Sequence, residues 1–256
     1  MNGDLAALLD LGTAAVLHGA AIFVRIGAGL VLLPALGETT VSVRVRVSLA
    51  LALTVFVGPA VPAGPAPDGS AEMVRLLFTE SLIGLAFGFA FRVMVNALQM
   101  AGSMIAQSTS LSQLFGGAGG EPLPAVGHLL VISGLALAML TGLHVTIVER
   151  LIESYHLFPA GTPLASGQTA EFVVGHVARA FSLAFSLAAP FVLAAFIYNL
   201  ALGAINRAMP QLMVVLVGAP AITGAGLVLL AVASPVLLHV WLGTLAAVAA
   251  DPFGAF

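Results

Sequence analysis

Ionisable side chains are few in this chain, and none stands in a spacing that builds an active site. Of its six histidines, none belongs to a His-Glu-x-x-His pair or another close metal-binding pair, and the first glutamate after His144 is Glu149. A serine nucleophile on a sharp elbow needs small residues on both sides; Ser133 is followed by Gly134, but Val131 stands two residues before it. Gly116, Gly117, Gly119 and Gly120 form a glycine-rich stretch. A phosphate cradle also needs a preceding strand and a lysine next to a hydroxyl residue, and all eight basic residues here are arginine. The absence of cysteine excludes disulfides, iron–sulfur clusters and thiolate metal sites. His128 and His144 read as structural residues at helix ends. Neither catalysis nor a cofactor or metal is expected.

Two charges stand out against apolar surroundings. Arg25 lies well inside the first hydrophobic segment, where a charge costs at least about 2.5 kcal/mol. Glu80, inside the third, is its natural partner in a buried ion pair, unless both side chains reach the membrane interface instead. Ser81, Gly84 and Gly88 form a row of small residues on the same third segment, suited to close helix packing.

A second polar feature is uncharged. In the stretch 96–117, a helix places Asn96, Gln99, Ser103, Gln107 and Ser110 three and four residues apart on one face, with Met100 and Met104 beside them. Amides and hydroxyls in a row can line a water-filled path without binding anything tightly. They can equally hold helices together, at about 0.6 kcal/mol for each bond within a membrane. Gln113, Leu114, Phe115 and the four glycines follow directly, then Glu121-Pro-Leu-Pro124. That segment is either an ordinary connection or a gate.

The elements that position these residues follow from composition. Of 256 residues, 60% are hydrophobic and 7% charged; a soluble domain carries about 25% charged residues. Most of the exterior must therefore meet lipid or apolar protein, which excludes a soluble enzyme. A net charge of −3 without a basic cluster excludes a nucleic-acid partner. Apolar runs long enough to span a bilayer occur at roughly 14–36, 45–62, 73–95, 125–148, 172–201 and 211–242. The acidic N-terminus reads as the start of a retained membrane helix rather than a signal peptide. The expected fold is all-α, a single membrane-embedded domain over 1–256 with about six segments. Arg44 and Arg46 put the loop after the first segment on the cytoplasmic side, with a small margin of cations overall.

The stretch N-L-A-L-G-A-I-N-R-A-M-P-Q-L, 199–212, resembles the signature of the FliR family of flagellar export-gate proteins. The R-x-x-P-Q core shared with the SctT proteins of injectisomes is Arg207, Pro210 and Gln211, preceded by Asn199, Gly203 and Asn206. Pro210 breaks a long apolar run, and Asn206 and Arg207 supply polar groups for the freed backbone. Further segments match in order: F-V-R-I-G-A-G-L-V-L-L-P at 23–34, T-G-L-H at 141–144, S-Y-H-L-F-P-A-G at 154–161, and V-G-A-P at 217–220, the last closer to the flagellar branch.

The resemblance implies helical hairpins that assemble with FliP-like and FliQ-like subunits, and with a FlhB-like subunit, into a helical funnel partly raised out of the bilayer. It implies a non-enzymatic channel subunit in the bacterial inner membrane at the flagellar basal body, passing unfolded export substrates. It also implies that the loop 111–124 plugs the closed pore, with the stripe from Asn96 to Ser110 leading into it. The rival readings are an injectisome subunit, a small secondary transporter, which would show inverted repeats, and a membrane-embedded enzyme. No repeat is visible.

Overall fold

The computed structural model describes residues 2–38, 41–64, 67, 69–109, 125–164, 166–209 and 214–254. Among them the chain forms α-helices and no strand: α1 (Asn2–Leu32), α2 (Val43–Val57) with a 3-10 turn at Gly58–Ala60, α3 (Ser70–Thr109), α4 (Ala125–Leu140), α5 (Leu143–Leu157), α6 (Ser166–Ala208) and α7 (Val214–Ala250). Five helical stretches are long and apolar enough to cross a membrane, and α4 with α5, taken as one broken span, would make a sixth. The chain is an all-α, multi-pass membrane protein.

Two boundaries differ from the hydropathy reading. The third apolar run and the polar stripe after it form one helix of 40 residues, about 60 Å long at 1.5 Å per residue, twice the roughly 30 Å hydrocarbon core. The run 125–148 is two helices, not one. Gly142 separates α4 from α5 with φ +91°, a left-handed conformation that glycine adopts without strain. Hydropathy has no term for a backbone angle, so the break leaves no mark on it.

The chain packs as two compact units. The first comprises Met1–Val93, Gly142–His176 and Ala246–Phe256, and the second Met94–Thr141 and Val177–Leu245. In the first, Ile22, Ile26 and Leu30 of α1 recur every fourth residue and are buried, as are Ile83, Phe87 and Phe91 of α3. Phe253, just past the end of α7, is buried with its ring 6.0 Å from Phe87 and edge-on to Phe158 at 5.1 Å.

Helices α1 and α3 touch through their backbones. A Cβ at Gly84 would strike the carbonyl oxygen of Arg25, and one at Gly88 would strike that of Gly29. Gly84 and Gly88 thus set the close approach of this seam, and Ser81, one turn before Gly84, bonds the Leu77 carbonyl of its own helix. At the connection from α1 to α2, Arg46 donates to the carbonyls of Leu36 and Glu38, while Arg92 pairs with the Glu38 carboxylate. Ser42 caps α2, its hydroxyl accepting from the Val45 amide at 3.4 Å.

In the second unit the buried residues include Met94, Ala97, Leu98, Ala101 and Ile105 of α3, Leu130 and Ala138 of α4, Ala180, Ala184, Leu187, Ala188, Phe191 and Ala195 of α6, and Leu237, Leu238, Trp241 and Leu245 of α7. The alanines of α6, and Ala97 and Ala101 of α3, allow helices to approach closely where lipid provides no hydrophobic drive.

Candidate functional site

The polar stripe lies on the C-terminal half of α3, in the second unit. Ala97, Leu98, Ala101 and Ile105 turn inward. On the opposite side Asn96 and Gln107 are exposed, and Met100 and Ser103 are half-buried between them. Gln99 is rotated toward α4. Its side-chain amide and its carbonyl lie against Gly127, where even a Cβ would meet the carbonyl oxygen at 3.2 Å, and Ser103 donates to the same carbonyl at 2.9 Å. The helix therefore presents an uncharged polar face along Asn96, Met100, Ser103 and Gln107, while Gln99 is committed to the α4 contact.

Three features support that face from behind. Gly102 meets Gly127 backbone to backbone: a Cβ on Gly102 would strike Gly127 Cα and N. The α3–α4 pair is closed there without any side chain. Trp241 of α7, fully buried, donates its indole N–H to the Met94 carbonyl at 2.8 Å. Its ring is admitted by Gly134 of α4, where a Cβ would come within 3.1 Å of it and closer still to Leu98. Gly102→Ala should destabilise the second unit by about 1–3 kcal/mol, because its obstacle is backbone and cannot change rotamer. A thermal denaturation series in detergent that shows no shift would contradict the backbone contact.

The signature residues of the α6–α7 hairpin are differently placed. Asn199, Gly203, Asn206 and Arg207 are all exposed near the end of α6. The two helices are joined by the Tyr198 hydroxyl, which donates to the Gly218 carbonyl at 2.8 Å, and Leu202 lies where a side chain on Gly218 would go. Pro210 and Gln211 lie outside the described residues, as do Ser110, Gln113, Leu114, Phe115, Gly116, Gly117, Gly119 and Gly120.

In the first unit, Arg25 and Glu80 form a fully buried pair. Arg25 Nε donates to Glu80 Oε2 at 2.7 Å and its second terminal nitrogen to Oε1 at 3.1 Å. Two more donors of the fork reach other partners: one Ser154 Oγ at 3.2 Å and another the Phe158 carbonyl at 2.9 Å. Glu80 Oε1 additionally accepts from the Gly161 amide at 3.0 Å. The guanidinium carbon lies 3.7 Å from the centre of the Tyr155 ring, a cation–π contact in a dry setting. The buried Tyr155 hydroxyl has no hydrogen-bond partner among the described residues, and its ring face is what meets the cluster. No group of three or more His, Asp or Glu residues suited to a metal occurs among the described residues.

Sequence reasoning reached Arg25, Glu80 and the stripe, and missed Ser154, Tyr155, Phe158, Gly161, Gly102, Gly127, Tyr198 and Trp241. The last carried a signal, being the sole tryptophan. Ser154, Tyr155, Phe158 and Gly161 fall in the segment 154–161 that matches the family, but the match assigned them no role, and Gly102 and Gly127 act through side chains they lack.

Known proteins resemble this chain along most of its length. The family described as bacterial export proteins, family 1, matches residues 16–248. The flagellar biosynthetic protein FliR of Caulobacter vibrioides is 32% identical over 226 residues, 87% of this chain and 90% of that protein. FliR of Escherichia coli is 29% identical, over 80% of this chain and 79% of its own. The Yop proteins translocation protein T of Yersinia pestis is 26% identical, over 77% of each. With one family model spanning nearly the whole chain and a FliR relative matched almost end to end, this chain belongs to the bacterial export proteins, family 1.

Proposed function

We propose that the chain is a core channel subunit of the flagellar type III export gate in the bacterial inner membrane, helping unfolded flagellar proteins to cross. The observation that carries this is the open face of α3. In a chain this apolar, Asn96 and Gln107 stay exposed, with Ser103 half-buried, on one side of a helix among the described residues. Amides facing hydrocarbon would leave their polar groups unsatisfied, so that face suits water or a passing chain. Uncharged amides, a hydroxyl and a thioether let varied sequences slide without holding any of them. The flagellar branch is favoured over the injectisome because the FliR relatives are the more similar.

Helix length supports assembly with other subunits. At about 1.5 Å per residue, α3, α6 and α7, of 40, 43 and 37 residues, exceed the roughly 30 Å hydrocarbon core. Exposed apolar residues such as Phe181, Phe185, Phe196, Val232 and Val236 then need protein as well as lipid to cover them. FliP-like and FliQ-like subunits are the proposed cover, with a FlhB-like subunit alongside, and the chain acts as one membrane-embedded domain without enzymatic activity. The loop 111–124, joined to the two helices that Gly102 and Gly127 hold together, is the proposed plug. Arg44, Arg46 and Arg92 gather at one end of the first unit, which we assign to the cytoplasm.

The test is complementation. In a motile bacterium lacking its own FliR, this chain should restore swimming and co-purify with the FliP-like and FliQ-like subunits. The double substitution Asn96→Leu with Gln107→Leu should abolish swimming while leaving co-purification intact. Purification as a lone stable monomer that binds a small solute would refute the export reading.

A further inference from the structure

The buried cluster in the first unit holds more than a helix pair. Arg25 and Glu80 satisfy each other across α1 and α3 with two hydrogen bonds, yet three further hydrogen bonds run from the pair to one short segment: Ser154 Oγ, the Phe158 carbonyl and the Gly161 amide. That segment is the end of α5 and the turn after it, closed by a bond from the Thr162 amide to the Pro159 carbonyl and made possible by Gly161 at φ +80°. Phe158 adds a ring contact, edge-on to Phe253. Polar bonds to two buried charges attach this turn to the α1–α3 seam.

Space lies beside it. A cavity of about 360 Å³ opens against Ala160 and is lined further by His18, Ala63, Gly64, Pro67 and Leu76. A turn packed on all sides could not move without disturbing its neighbours, and this one has a void on one flank. Gly64 packs directly against Ala160 at the edge of the cavity, where a Cβ on Gly64 would lie 3.3 Å from the Ala160 methyl.

We propose that residues 158–161 form a releasable strap, held down on the α1–α3 seam by the Arg25–Glu80 pair and able to lift toward the adjoining cavity without parting the two helices. The helices keep their own attachment, the backbone contact through Gly29, Gly84 and Gly88, which does not depend on the charges. The pair therefore serves as a lock on the strap, and local opening there precedes any opening of the unit as a whole.

The chain has no native cysteine, so single thiols can report this directly. Ser154→Cys puts a thiol, a weaker acceptor for Arg25 than the hydroxyl, at a position 1% exposed, so labelling is compared only between backgrounds that share it. Ala188→Cys puts a control thiol at a fully buried position in the second unit. Each is labelled with N-ethylmaleimide in native membranes. Two backgrounds weaken the strap while leaving no charge unpaired. Arg25→Lys keeps the pair but lacks the planar fork that reaches Ser154 and Phe158, and Arg25→Met with Glu80→Met removes both charges together. In both backgrounds labelling at position 154 should accelerate by about tenfold or more, while position 188 stays protected. Unchanged labelling at 154 in either background would overturn the strap, and so would an equal rise at 188, which would mean that the whole chain opens. Neither readout depends on export.

Discussion

Glu80→Ala should leave the protein nearly absent from the membrane. Removing the carboxylate strands the Arg25 guanidinium in a fully buried position and deprives the Gly161 amide of its acceptor. Breaking a buried pair from one side costs about 3–5 kcal/mol, because the remaining charge cannot be resolvated. Against a total stability of about 5–15 kcal/mol, that is enough to shift a protein toward degradation. The matched control is Arg25→Met with Glu80→Met, which removes both charges and replaces them with adaptable apolar side chains of comparable reach. Its steady-state level and melting temperature in detergent should recover most of the loss. Equal levels for the single and double variants would show that the charge left behind is not the cause.

Trp241→Ala is the second large effect. The indole is fully buried, packs against Gly134, and donates to the Met94 carbonyl. Truncating a buried Trp to Ala costs about 3–5 kcal/mol, and losing the hydrogen bond contributes about 1 kcal/mol of it. Trp241→Phe should keep most of the packing and forfeit mainly the bond, so its loss should be nearer 1–2 kcal/mol. Because the chain has one tryptophan, the native protein's own fluorescence follows the unfolding of this corner. Thermal unfolding of the three forms, scored by an independent aggregation assay, gives the ranking. A Trp241→Phe variant as damaged as Trp241→Ala would mean that the bond to Met94 outweighs the ring.

Some of this was legible in the sequence, for physical reasons that differ from case to case. A charge inside an apolar segment is conspicuous, so Arg25 and Glu80 could be named as candidates from the cost of burying them. Their further partners could not: Ser154 lies 129 residues from Arg25, and the Phe158 carbonyl and Gly161 amide are backbone groups that every residue possesses. The amphipathic spacing of Asn96, Gln99, Ser103 and Gln107 follows from helix periodicity alone. Which of them stays open depends on where α4 lands, and that is set by the missing side chains of Gly102 and Gly127. The small-residue row on α3 was legible as a row, but not that the surface opposite Gly84 and Gly88 is the backbone of Arg25 and Gly29. The division of 125–148 at Gly142 was invisible because both halves are apolar enough to read as one.

The α1–α3 seam also bears on how such a chain can vary through descent. Where two side chains interlock, an enlargement on one side can be accommodated by a reduction on the other, and lineages drift through such compensated pairs. At Gly84 and Gly88 the opposing surface is the carbonyl of Arg25 and of Gly29, and a carbonyl has no smaller version. No second-site replacement across the seam can make room, so these two positions admit no reciprocal exchange, however freely the surrounding apolar residues trade places.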